Sequence, residues 1–139
     1  MPLVHQFAII LKDSNEKFVS KEMESVEISD SLIQYVGDSL KWINSSWNGK
    51  EKKAGISYYG FSIIEDDELM KFIDIINQWK QLFKLAPNII CLTGNFLPDE
   101  NRYEKEFIDK KVILQNFDSW ECLCKRALAM KAKILHNGI

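Results

Sequence analysis

The alternation of apolar and polar positions marks out strand-like and helix-like segments along the chain. Leu3 to Leu11 is dense in β-branched and aromatic residues and stops at the polar cluster Lys12-Asp13-Ser14-Asn15, predicting a strand and then a turn. Lys17 to Ile28 reads as a second strand completing an N-terminal hairpin. Its alternation is regular at Val26-Glu27-Ile28 and mixed around Met23, where helix is the competing reading. Ser29 and Asp30 then offer oxygens to the unpaired amides of a first helical turn. Leu32, Ile33, Val36, Leu40 and Ile43 recur on one face and predict a helix from about Asp30 to Asn44. Gly37 inside it costs about 1 kcal/mol relative to alanine, and marks either a close backbone approach or simple tolerance. Ser45 to Lys50, rich in serine, asparagine and glycine around Trp47, reads as a loop.

The block from Gly55 to Gly94 carries the strongest pattern. Lys53 to Ile64 predicts a strand bent or bulged at Gly60. The acidic turn Glu65-Asp66-Asp67-Glu68 leads into a helix whose apolar face is Leu69, Phe72, Ile73, Ile76, Trp79 and Phe83, widened by Ile75 and Leu82 and ended by Pro87. Its acids lie at the start and Lys80 and Lys84 near the end, the order that complements the helix dipole. Asn88 to Thr93, with Ile89, Ile90, Cys91 and Leu92 in unbroken sequence, predicts a central strand covered on both faces, closed by Gly94-Asn95. Phe96 to Asn101 holds Pro98 and reads as a loop, and Arg102 to Ile108 as an outer strand. Asp109 caps a last helix with Ile113, Leu114, Phe117, Trp120, Leu123, Cys124 and Ala127 on its apolar face and Leu128 beside it, after which the apolar tail from Ile134 docks.

This order predicts an α+β fold in a single domain over residues 1–139, with about three helices packed on a mixed or mainly antiparallel sheet of about five strands. The passage from Ile64 through the long helix to Asn88 has the length of a right-handed crossover between parallel strands. The composition, 46% hydrophobic and 27% charged, is that of an ordinary folded domain. A net charge of −2 lacks the basic excess that phosphate contacts require, so no nucleic-acid partner is expected. The start Met1-Pro2-Leu3-Val4-His5-Gln6 has no secretory pattern, and no apolar run approaches the roughly 20 residues of a membrane span, so a cytoplasmic protein with no membrane partner is expected.

Chemistry is sparse. No glycine cluster forms a phosphate-binding loop. Cys122 and Cys124 would point about 200° apart on a helix and cannot share a metal, so no metal or other cofactor is expected and the thiols, Cys91 included, read as reduced and mostly buried. Cys91 with His136 is a conceivable nucleophile and base, against a packed cysteine and a surface histidine as the plainer account. Glu65, Asp66, Asp67, Glu68, Asp99 and Glu100 supply carboxylates for acid–base work or for Mg²⁺, although helix-start capping accounts for the first four. Trp79 and Trp120 read as core, Trp42 as less firmly placed, and Trp47 as either an exposed loop anchor or an aromatic folded over the core edge.

At Gly60-Phe61-Ser62-Ile63-Ile64-Glu65, Trp79-Lys80-Gln81-Leu82-Phe83, Ala86-Pro87, Leu92-Thr93-Gly94 and the tail Ile134-Leu135-His136-Asn137-Gly138-Ile139, the chain resembles small bacterial immunity proteins encoded beside toxins, including those of contact-dependent growth inhibition systems. The resemblance implies a binding protein, rather than an enzyme, that neutralises a cognate toxin domain. Trp47, Tyr58 and Tyr59 are then candidate aromatic anchors, and Glu65, Asp66, Asp67, Glu68, Asp99 and Glu100 candidate partners of a basic toxin. A small carboxylate- or metal-dependent hydrolase or nuclease is the second reading, and an oligomeric adaptor built on a sheet edge the third.

Overall fold

The computed structural model describes residues 3–139, so the Met1-Pro2 part of the segment read for a secretory pattern lies outside it. Its strands are β1 (Val4–Ile10), β2 (Ser25–Ser29), β3 (Asn44–Trp47), β4 (Glu51–Ala54), β5 (Phe61–Ile64), β6 (Ile89–Leu97), β7 (Arg102–Asp109) and β8 (Lys133–Asn137). Its helices are α1 (Asp30–Tyr35), α2 (Gly37–Leu40), α3 (Asp66–Phe83) and α4 (Lys110–Ala129). A six-stranded sheet runs β2-β1-β8-β5-β3-β4, and β6 pairs with β7 as a separate two-stranded ribbon. Every ladder is antiparallel. The α+β, mainly antiparallel architecture expected from the sequence is therefore the one observed.

Directly opposed residues in a ladder share a face. One face of the sheet accordingly carries Phe7, Ile28, Ile64 and Ile134, all fully buried. Against it lie the apolar stripes of α3 and α4. Trp120 packs on Phe7 and Phe72 with centroids 4.8 and 5.2 Å apart, and Trp79 lies 5.7 Å from Trp120. Across the two helices Lys80 donates to Asp118 and Glu121, 3.0 Å each, and Asn77 donates to Glu121 at 3.0 Å. Burial alone would raise the Glu121 carboxyl, but these donors outweigh it and hold the group below its usual range. The six residues expected inside α3 are all buried, whereas Leu82, expected to widen that face, is 58% exposed beside the ribbon groove; Asp109 caps α4 by accepting from the Lys111 N–H at 2.8 Å.

Several expectations give way to tertiary structure. Only the end of Lys17 to Ile28 is strand; the earlier part lies against the second face of the sheet, where Asn137 accepts from the Val19 N–H and donates to the Lys17 carbonyl. Ala8 and Leu135 are fully buried on that face. The helix expected from Asp30 to Asn44 breaks at Val36, which adopts φ −92° and ψ 5°, into α1 and α2, and Asn44 opens β3. Space is open around Gly37, so no backbone approach explains that glycine. The segment read as a loop around Trp47 is half of the β3–β4 hairpin, turned by Asn48 and Gly49 with φ 53° and 72°. Trp47 pairs with Glu51, so the turn has three residues, Asn48 to Lys50, and its first two take the left-handed conformation that asparagine and glycine adopt most readily. The strand expected over Lys53 to Ile64 is two strands, β4 and β5, separated by irregular chain.

The largest correction concerns the centre of the sheet. Asn88 to Thr93 is not a central strand, because it belongs to the ribbon, where Ile90 and Leu92 are buried while Ile89 and Cys91 face solvent. No parallel crossover joins it to β5. The central position belongs to the C-terminal segment, β8, which pairs with β1 on one side and β5 on the other. Among the described residues, no helix is long and apolar enough to cross a membrane.

Candidate functional site

The two histidines, near opposite ends of the sequence, meet inside the protein. His5 on β1 and His136 on β8 are both fully buried, with His5 Nδ1 and His136 Nε2 2.9 Å apart. His5 Nε2 lies 2.9 Å from Asp30 Oδ1, and His136 Nδ1 lies 3.4 Å from Ser62 Oγ on β5. Ionised Asp30 can only accept, so His5 Nε2 carries the proton and His5 Nδ1 is the acceptor. His136 must then donate from Nε2, which leaves its Nδ1 to accept from the Ser62 hydroxyl. Ser62 in turn accepts from the Ser57 N–H at 2.6 Å. All donors point one way, from Ser62 through both rings to Asp30, and every polar side-chain atom of these four residues is paired while both histidines stay neutral.

The terminal carboxylate is secured by two further donors. Tyr58 donates its hydroxyl to Asp30 Oδ1, and Gln34 Nε2 donates to Oδ2 at 2.8 Å. Burial pushes the Asp30 carboxyl up, but hydrogen bonds from Tyr58, His5 and Gln34 outweigh it and bring the group below its usual range. Burial lowers His5 despite the neighbouring carboxylate, and burial together with the adjacent His5 lowers His136 to about 3. Tyr58 is pushed up to about 12 by burial and by its bond to Asp30. The residue types are those of a nucleophile with its base and orienting acid, but Ser62, His136 and His5 are fully buried. As folded, no substrate atom reaches Ser62. The chain of bonds joins β1, β5, β8, α1 and the Ser57-Tyr58 segment, which makes it a structural tie.

Sequence reasoning missed this group. Of its two accounts of His136, a conceivable base for Cys91 and, more plainly, a surface histidine, neither holds. Both ring nitrogens of His136 are engaged elsewhere, and Cys91 is exposed on the ribbon. Of the thiols only Cys124 is buried, and burial raises it; Cys122 is exposed on the opposite side of α4, as the helical angle between them requires.

The other predicted residues are scattered. Trp47 lies half-buried on β3, its Nε1 donating to the Gly55 carbonyl at 3.2 Å and Lys53 lying over its ring, so it is folded onto the hairpin and does not project from a loop. Tyr58 is turned inward to Asp30, whereas Tyr59 is 81% exposed. Glu65 flanks α3 without making a side-chain cap. Asp66 pairs with Lys12, Glu68 accepts from Asn44 at 3.1 Å, and Asp67 is exposed. Asp99 and Glu100 occupy the turn of the ribbon, Glu100 paired with Arg102 at 3.1 Å. The register sets these two acidic groups apart. The Glu65 turn follows the β5 end paired with the start of β8, while Gly94 and Asn95 of the ribbon lie beside Asp30 at the other end of the strands.

The ribbon itself carries the surface that pattern reading overlooked. Its inner side, with Ile90 and Leu92, packs on α1, where Ser31 donates to Glu106. A register shift between Thr93 and Phe96 inserts one extra residue in β6 and changes the phase of its alternation, so Phe96 stands opposite Tyr103 on the outer side. Cys91 opposite Phe107, and Ile89 opposite Asp109, share that side. Ile89, Phe96, Tyr103 and Phe107 are 56, 45, 54 and 68% exposed, and the rings of Phe96 and Tyr103 pack with centroids 5.0 Å apart, tilted by 60°. A groove of about 390 Å³ lined in part by Tyr35, Leu82, Leu85 and Cys91 continues this apolar surface onto the end of α3. No protein-family model, no curated protein and no solved structure matches the chain.

Proposed function

We propose that the protein is a binding protein that neutralises a cognate bacterial toxin domain, an immunity factor whose contact surface is the outer side of the β6–β7 ribbon. The observation that carries this reading is the row of exposed aromatic and aliphatic side chains on that side, Ile89, Phe96, Tyr103 and Phe107. Keeping such a row in water costs free energy that a partner recovers by covering it, and aromatic anchors contribute most of the energy in protein interfaces. The partner's charge follows from the rim. The ribbon carries Asp99, Glu100, Glu104, Glu106 and Asp109 against Arg102 and Lys105, so it attracts a basic protein surface and accelerates encounter with it. Of the acids named from the sequence, Asp99 and Glu100 lie on this ribbon; Asp66 and Asp67 belong to the far end of the sheet and give only a second, separate contact.

Co-expression tests the reading. If the adjacent gene encodes a large secreted protein, its C-terminal domain should co-purify with this chain and lose its toxicity. A Tyr103→Ser/Phe107→Ser variant should fail to retain it. Toxicity unchanged by the wild-type chain contradicts the proposal.

A further inference from the structure

The strand edges of the molecule are not treated alike. β4, at one edge of the main sheet, is a four-residue strand carrying Lys52 and Lys53, the lysine-bearing short edge that discourages pairing with other chains. β7 is an eight-residue strand, exposed at every position except the half-buried Ile108, and from Arg102 to Ile108 its backbone has no hydrogen-bonded strand other than β6 among the described residues. The far edge of β7 therefore presents a row of backbone donors and acceptors to solvent. Its central sequence, Tyr103-Glu104-Lys105-Glu106-Phe107, reads aromatic, acid, base, acid, aromatic in either direction.

We propose that the β7 edge takes an extended strand of the partner protein whose side chains run apolar, basic, acidic, basic, apolar, extending the ribbon to three strands. This names the part of the partner that the ribbon receives and rests on the ribbon being the binding surface. Side chains directly opposite in adjacent strands lie about 4.5–5.5 Å apart, so each position of β7 selects its neighbour. Tyr103 and Phe107 take apolar residues on the outer side, Lys105 between them takes an acid, and Glu104 and Glu106 take bases on the inner side. The symmetry of the pattern makes the selection independent of strand direction. A slip of one residue moves every side chain to the other face and sets apolar groups against charges, so the register is specified.

A second copy of the chain does not fit. The longest antiparallel registers of β7 on another β7 put Lys105 opposite Lys105 with Glu104 opposite Glu106, or Glu106 opposite itself. A parallel copy meeting the same edge has its outer side reversed, so its nearest registers are offset by one residue and set Tyr103 and Phe107 against Glu104 and Glu106. Like charges directly opposite are destabilising, so the pattern that invites a foreign basic strand also resists self-association.

The probe is the synthetic heptapeptide Thr-Val-Lys-Glu-Lys-Val-Thr, with Thr-Val-Glu-Lys-Glu-Val-Thr as its charge-inverted control, titrated into the full chain under amide-resolved NMR and hydrogen exchange. The first peptide should protect β7 amides and bind about tenfold tighter than the control. Glu104→Lys/Glu106→Lys should reverse that preference. If that variant fails to fold, Lys105→Glu, an exposed change, should favour Thr-Val-Lys-Lys-Lys-Val-Thr over the first peptide. Equal binding of the two original peptides, no binding of either, or protection at β2 or β4 overturns the proposal. Peptide capture without toxin capture leaves the edge assignment standing and removes the toxin; toxin capture without peptide discrimination does the reverse.

Discussion

At the α1 end of the sheet, His5, Ser62 and His136 are sealed from solvent, while the neighbouring ribbon leaves Ile89, Phe96, Tyr103 and Phe107 in it. Each region departs from the rule that polar groups go outside and apolar groups inside, and the two departures have different consequences. Inside, the polar atoms satisfy one another in a single direction, so removing one strands its neighbours, and the region behaves as an all-or-none tie. Outside, the apolar groups have little folded partner surface to lose, so their removal is nearly silent in the isolated protein and costly only in a complex. The residue types that suggest catalysis are therefore sealed inside the fold, and residue types that suggest core stand in solvent on the ribbon, where the proposed contact surface lies.

The sharpest contrast comes from truncation. His136→Ala removes a fully buried ring and strands Ser62 and His5, and should lower unfolding stability by about 3 kcal/mol in urea titration. A loss below about 1 kcal/mol would mean the chain of bonds is not a structural tie. Acid acts on the same region. Both histidines are lowered in the folded state, so the unfolded chain binds more protons below the ordinary histidine range. Stability is complete above about pH 6.5 and falls as the pH drops. Between pH 7 and pH 5 His136 alone should account for a loss of about 2 kcal/mol, His5 adding to it in the same direction, and His136→Phe should remove the His136 share. Below about pH 3.8, protonation of unfolded Asp30 adds to the loss, because that carboxyl is also lowered by folding.

Smaller effects mark the boundary between the regions. Gly49→Ala forces a side chain into a left-handed position (φ 72°) and should cost about 1 kcal/mol in thermal unfolding. Cys91 and Cys122 should react with a thiol reagent in the folded protein and Cys124 only on unfolding, by mass spectrometry after a timed pulse. Phe107→Ser should change stability by no more than about 0.5 kcal/mol; a larger loss would show that the ribbon's outer side supports the fold.

What could be read from the sequence was what depends on near neighbours. The stripes of α3 and α4 recur every three to four residues and are buried as their spacing requires, and Asp109 caps where a cap is needed. Ile89-Ile90-Cys91-Leu92 suggests a central strand wrongly because an unbroken apolar run looks the same whether both sides are covered or one side faces solvent. The Asn48-Gly49 pair was a usable hairpin signal hidden by the polarity around it. His5 and His136 had no local signal at all, since a sheet register joins residues separated by 131 positions. The one hint is that each lies inside a strand directly after a pair of apolar residues, Leu3-Val4 and Ile134-Leu135.

Hydrogen exchange on the complex with the toxin domain tests the central claim most directly. Protection should appear over residues 89–109, with exchange around Asp30, Ser62 and His136 unchanged. Protection centred on Asp30, Tyr58 and Ser62, with the ribbon still exchanging freely, would contradict it.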